Sequence, residues 1–196
     1  METQRRRADE PVPHLGIDQV RAIIEAIDKV SKPKFRERNK LLIRSLFDGC
    51  LRVSEAIQIK PGDLFQADGY WRVKIHGKGD RHSTVAISPS LATQLLAYAY
   101  NKGIERDARI FPVNPSRVFQ IVQAAMERAG VAKPGKVGSV HILRHSGALE
   151  RLRETGNPRA VQDQLRHKSQ LMTLRYLKTL SREESLAIQG QVDFRW

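Results

Sequence analysis

The apolar positions of this chain change period twice, dividing it into a helical opening, a short sheet and a helical remainder. From Ile17 to Val30 the residues Ile17, Val20, Ile23, Ile24 and Ile27 fall on one stripe, with Asp18 near the start. That spacing predicts an amphipathic helix with one buried face. Pro33 interrupts the chain, and a second helix is expected over 35–48, with Leu42, Ile43, Leu46 and Phe47 on its apolar face and Gly49 at its end. A short third helix over 53–59 stops at Pro61-Gly62. The period then falls to two. Residues 70–75 and 83–87 read as strands joined by Gly77-Lys78-Gly79-Asp80, which predicts a β-hairpin.

Helical spacing returns after Ser88, a suitable N-cap with Pro89 at the first helical position, and runs to Tyr100. Further helices are expected over 115–129, 140–155, 158–165 and 170–179. Ser181 with Glu184 three residues on forms a capping-box pattern opening a last helix to about Gln189. No internal repeat or interior linker divides the chain, so the expectation is one mainly α domain with a small antiparallel β-hairpin or sheet. Its organisation reads as a flexible basic arm over 1–14, the domain proper over 15–180, and a C-terminal helix and tail over 181–196.

Charge narrows the picture. The 34 Lys and Arg exceed the 21 Asp and Glu, giving a formal net charge of +13, which favours a polyanionic partner. Nucleic acid leads a membrane surface, because neither a basic amphipathic helix nor a lipidation motif is found. No apolar run approaches the roughly 18 residues of a membrane span, and residues 1–7 lack the apolar core of a signal peptide, so a cytoplasmic protein is expected. The lone Cys50 excludes an internal disulfide and reads as packing.

Three stretches carry candidate chemistry. In Leu51-Arg52-Val53-Ser54-Glu55, Arg52 opens a helix and Glu55 lies one turn on, close enough to orient the guanidinium. At the hairpin tip two glycines flank Lys78, and Arg81 and His82 follow. In His141-Ile142-Leu143-Arg144-His145, His141 and Arg144 share a helix face. His145 points elsewhere and reads as structural. His167 and Tyr176 come next, and between Lys133 and Arg182 eleven Lys or Arg stand against three acids. Tyr70, Tyr98 and Tyr100 sit in strand or helix patterns and read as packing. Tyr176 could likewise be core, but the flanking Arg175 and Lys178 argue against a wholly buried segment there.

Taken in order, Leu51-Arg52-x-Ser-Glu, Gly77-Lys78-Gly79, His141-x-Leu-Arg144-His, Leu165-x-His167 and a tyrosine nine residues later resemble the tyrosine recombinases of the phage integrase family. The resemblance runs from Leu15 to about Thr179. It implies the tyrosine recombinase catalytic-domain fold and a site of Arg52, Lys78, His141, Arg144, His167 and Tyr176. Tyr176 would attack the scissile phosphorus and form a 3′-phosphotyrosyl link. Arg52 and Arg144 would grip the non-bridging oxygens, and Lys78 would protonate the leaving 5′-oxygen. His141 would take or orient the phenolic proton, and His167 would bond the phosphate. Neighbouring cations would have to lower the pKa of the phenol, or a base assist it.

No metal or other cofactor is implied. The expected partners are double-stranded DNA bearing a specific site and other protomers in a synaptic complex, a tetramer on DNA. The tail, with Leu186, Ile188, Val192, Phe194 and Trp196, is expected to dock on a neighbouring protomer. Two positions depart from the family pattern, which usually has glycine where this chain has Cys50 and Arg166. Family members usually also carry an N-terminal DNA-clamping domain, so the chain reads as a fragment or as a short single-domain member. The alternative functions are a non-cleaving DNA-binding module of the same fold and a type IB topoisomerase-like enzyme.

Overall fold

The computed structural model describes residues 12–76, 82–167 and 170–191. Helix α1 (Ile17–Val30) buries Val20, Ile23 and Ile27 of the expected stripe, with Ala26 beside them, while Ile17 and Ile24 are half-buried. Helix α2 (Pro33–Asp48) starts two residues earlier than its apolar face required, because Pro33 occupies the first turn, where its missing N–H costs nothing. Helix α3 (Val53–Ala56) is a single turn rather than the seven residues expected. Gln58 N and Ile59 N bond three residues back, to Glu55 O and Ala56 O, tightening the chain into the 3₁₀ turn Pro61–Asp63.

The sheet has three antiparallel strands in the order β1 (Leu64–Ala67), β2 (Tyr70–His76) and β3 (His82–Ala86). Strand β1 was missing from the hairpin expected. Its signal is Asp68-Gly69, both with positive φ (53° and 79°), the conformation a two-residue type I′ turn demands. The β2–β3 connection, with Lys78, lies outside the described residues.

Helices α4 (Pro89–Asn101), α5 (Pro115–Arg128) and α7 (Pro158–Leu165) each begin with a capped proline turn, in which Ser88, Asn114 and Asn157 accept from the backbone N–H three residues on. Helix α6 (Ser139–Thr155) ends at Gly156 in the left-handed region, and α8 (Gln170–Leu177) and α9 (Arg182–Gln189) follow.

Helix α6 joins two apolar clusters. Ile142 and Leu143 belong to the large core shared by α1 to α5 and the sheet. One to two turns later Ala148, Leu149 and Leu152 belong to a small cluster with Val12, Cys50, Val161, Leu165 and Tyr176. Between these sets stands Gly147, where a Cβ would sit 1.9 Å from Phe47 O. The glycine is therefore what lets the α6 and α2 backbones meet.

Val12 is buried at the end of the stretch expected to be an arm, and its N–H donates to Thr179 Oγ1 at 2.8 Å. Leu15 N donates to Ser146 Oγ at 2.8 Å. Helix α9 buries no residue and rests on α6 through Arg153 Nε to Glu184 Oε1 (2.8 Å) and through Ile188 over Gly156. Tyr98 is buried, but Tyr70 and Tyr100 are 69% and 87% exposed, so the expectation that both pack is corrected.

Candidate active site

The short turn α3 aims Arg52. As its N-cap, Arg52 donates its backbone N–H to Glu55 Oε2 (2.8 Å) while its Nη1 donates to Glu55 Oε1 (2.9 Å). One carboxylate thus fixes both the start of the helix and the direction of the side chain. The Arg52 side chain stays 45% exposed.

Arg144 is held differently. It is 4% exposed, and its guanidinium donates to Cys50 O and, at 2.8 Å, to Leu165 O, with Glu55 Oε2 3.8 Å away. The two residues that depart from the family pattern lie at these carbonyls. Cys50 has φ 49° and Arg166, next to Leu165, has φ 56°. Both side chains therefore occupy the left-handed region that glycine enters without steric cost. Burial pushes the Arg144 pKa down to about 10, and Arg52 beside it adds to the shift.

Tyr176 itself is 2% exposed, in a segment that is not wholly buried. Its helix α8 turns one side inward while Met172, Leu174 and Leu177 remain exposed. The phenolic oxygen lies 2.6 Å from His145 Nδ1, and the His145 and His167 rings stand 5.9 and 6.3 Å from the Tyr176 ring. His145, read from sequence as structural, is the residue on the hydroxyl. His141, expected there, is exposed, with its ring 6.4 Å from that of His145.

His141 and His145, four residues apart, share a helix face, so the expectation that His145 points elsewhere is corrected, and α8 approaches from the His145 side. His167 lies within 3.4 Å of Thr173 Oγ1 through Nδ1. Lys78 is outside the described residues.

Burial dominates the electrostatics. It pushes the Tyr176 phenol above its ordinary value, and the opposing pull of Arg144 does not compensate. Of the two routes expected, lowering by neighbouring cations is not met, which leaves assistance by a base. Burial also pushes His145 down to about 4, with His141 and Arg144 adding to the effect. His167 falls to about 4 through burial and then Arg144, Arg52 and Arg166. Both rings are therefore neutral at pH 7, and a neutral His145 can accept the phenolic proton at Nδ1. Although burial opposes ionisation of Glu55, Arg166 and Arg52 hold its carboxyl below the usual range.

Among the described residues no group of three or more His, Cys, Asp or Glu is placed to hold a metal ion, and no helix is long and apolar enough to cross a membrane.

A mostly helical domain with a three-stranded sheet, bringing two arginines, two histidines and a tyrosine to one side of α6, defines the class of tyrosine recombinase catalytic domains. The chain belongs to the phage integrase family, whose model matches residues 14–183. It is 30% identical over 158 residues to the tyrosine recombinase XerH of Campylobacter jejuni, covering 78% of this chain and 44% of that protein. It is also 30% identical to XerD of Mycobacterium tuberculosis, covering 83% and 55%. The chain thus spans about half the length of the curated relatives it matches.

Among solved structures, XerH bound to its difH substrate in a pre-cleavage complex superposes with a TM-score of 0.72 at 24% identity, covering 93% of this chain and 54% of that one. The catalytic domain of bacteriophage HP1 integrase superposes at 0.67 with 20% identity, covering 92% and 95%.

Proposed function

We propose that this chain is the catalytic region of a site-specific DNA recombinase that cuts and rejoins strands through a 3′-phosphotyrosyl link at Tyr176. The observation that carries the reading is the meeting of the Tyr176 hydroxyl with His145, 31 residues earlier in sequence, beside His167 and the carboxylate-oriented arginines.

The chemistry follows from the geometry. The Tyr176 oxygen attacks phosphorus, the bond from phosphorus to the 5′-oxygen breaks, and the phenolic proton passes to a neutral imidazole. His145 takes the role first expected of His141. Planar guanidiniums suit the non-bridging oxygens better than ammonium groups do, and Arg52 and Arg144 fill that place. Lys78 would supply the proton to the leaving 5′-oxygen. The link conserves the energy of the phosphodiester, so rejoining needs no nucleotide. Double-stranded DNA with a specific site is the substrate, and protomers assemble on it as a tetramer.

A library of nicked duplexes with randomised sequence tests this, because loss of the short strand beyond the nick traps the covalent intermediate. The expected result is a protein–DNA adduct on a denaturing gel, enriched in one sequence motif. Absence of adduct with retained binding would support the non-cleaving alternative, and adducts with no sequence preference would support the topoisomerase-like one.

A further inference from the structure

Arg166 is the C-cap of α7, with φ 56° and ψ 41°. A non-glycine residue in this region costs about 1–2 kcal/mol. Nothing in the backbone role requires arginine, since the cap bond from Arg166 N to Asp163 O is open to any residue but proline. The side chain does something else. It is 14% exposed and crosses to α3, where Nη2 meets Glu55 Oε2 at 2.5 Å, while Nη1 donates to Gln164 O at 3.1 Å.

Glu55 does not need this partner. Its Oε1 already accepts Arg52 Nη1, and its Oε2 accepts the Arg52 backbone N–H. With Arg144 3.8 Å from the same oxygen, three guanidiniums surround one carboxylate. Among the described residues no other acid pairs with any of them, so two positive charges are left over. The neighbouring His145 and His167 are held neutral and add none. A partly buried excess of this kind is stabilised when an anion enters. The anion that fits planar forks is one with paired oxygens, a carboxylate or a phosphate.

We propose that Arg166 is a third guanidinium for the scissile phosphodiester, shared between Glu55 in the free protein and a non-bridging oxygen when DNA is bound. The inference rests on the recombinase reading for the identity of the phosphate, though not for the anion site itself. Three degrees of constraint result: Arg144 is fixed by two carbonyls, Arg52 is half-exposed, and Arg166 is anchored at a turn with one carboxylate to leave. The competing view makes Arg166 only a tie between α7 and α3.

The test uses the full chain and the variants Arg166→Gly, whose backbone suits the left-handed turn, and Arg166→Lys, which keeps the charge. First, isothermal titration with inorganic phosphate should show affinity about tenfold weaker for Arg166→Gly, the loss of one charge-assisted hydrogen bond, and a smaller loss for Arg166→Lys. Second, adduct formation is timed on a duplex carrying the enriched motif, with either a phosphodiester or a charge-neutral methylphosphonate at the scissile position.

Arg166→Gly should slow the phosphodiester about 10²-fold, as expected for removal of one preorganised donor, and change the methylphosphonate rate by less than about threefold. Arg166→Lys should recover part of the phosphodiester rate. Equal slowing on both linkages, or unchanged phosphate affinity, would overturn the proposal and leave Arg166 a structural tie. If the wild-type chain forms no adduct with either linkage, the recombinase reading fails, and the phosphate titration alone then decides whether Arg166 serves an anion site.

Discussion

The large core and the small cluster divide the site between them. The large core draws on α1 to α6 and the sheet, and its members Leu51, Ala56, Ile142 and Leu143 surround the positions of Arg52, Glu55 and Arg144. The small cluster holds Tyr176 with Val12, Cys50, Ala148, Leu149, Leu152, Val161 and Leu165, and much of its wall is the eight-residue helices α7 and α8. Charge-stabilising groups therefore stand on the part with the most buried apolar surface. Tyr176, the proposed nucleophile, stands on the part with the least, and a short helix with three exposed apolar side chains can move at low cost. In this arrangement Tyr176 is covered, so on the function proposed above its attack would require α8 to shift relative to Arg52 and Arg144.

The comparison can be broken at several points. Tyr176→Phe has the largest expected effect: adduct formation is abolished, while affinity for DNA stays within about twofold, because phosphate binding rests on the arginines and lysines. An adduct from the Phe variant would place the nucleophile elsewhere. Lys78→Ala should slow cleavage by roughly 10²–10⁴, the range of general acid catalysis. A bridging sulfur at the 5′ position, a better leaving group, should restore it. Rescue of Lys74→Ala instead would move the acid along the hairpin.

Arg144→Ala should cost about 10²–10³ in cleavage and also lower the melting temperature, since it strands two buried carbonyl oxygens, those of Cys50 and Leu165. Unchanged melting would contradict a structural share for this arginine. Gly147→Ala strikes the joint between the clusters. A Cβ 1.9 Å from Phe47 O forces α2 and α6 apart, for a loss of about 3 kcal/mol or more in chemical denaturation.

The smallest effect is one of pH. His145 and His167, at about 4 in the fold against 6.5 for a histidine side chain free in water, bind fewer protons folded than unfolded between those values. Stability contributed by their neutral state is complete above about pH 6.5 and is lost as pH falls towards about 4. The melting temperature should drop between pH 7 and pH 5, and His145→Gln should shrink that drop. An unchanged drop would mean that the covered histidine contributes nothing to it.

The helices were legible where capping chemistry punctuates the chain. Ser88-Pro89 and the Ser181–Glu184 box lie at helix starts in the fold. Local periodicity also located the buried faces of α1 and α2. What escaped depends on how elements meet. Strand β1 is four residues long with no clear alternation of its own, and it exists because Leu64 to Ala67 pair with β2. His145 looked structural because it was set apart from His141, although residues four apart share a helix face, and because nothing in α6 itself shows where α8 docks.

The burial of Tyr176 was not legible because Arg175 and Lys178 speak for the faces of α8 beside it, not for the face it occupies. The contact of Arg166 with Glu55 joins residues 111 apart in sequence, and its one visible trace was an arginine in a place expected to hold glycine.

The seam between Val12 and Thr179 has a mechanical consequence. The bond from Val12 N to Thr179 Oγ1 closes the described fold into a loop, tying the segment ahead of α1 to the residue three places after Tyr176, the proposed nucleophile. Val12 also packs in the cluster that seats Tyr176, and Leu15 is pinned to α6 through Ser146. Tension applied at Val12 therefore passes directly into the fold. It is felt first at the exit of α8, like a drawstring threaded through the hem of the nucleophile's own pocket.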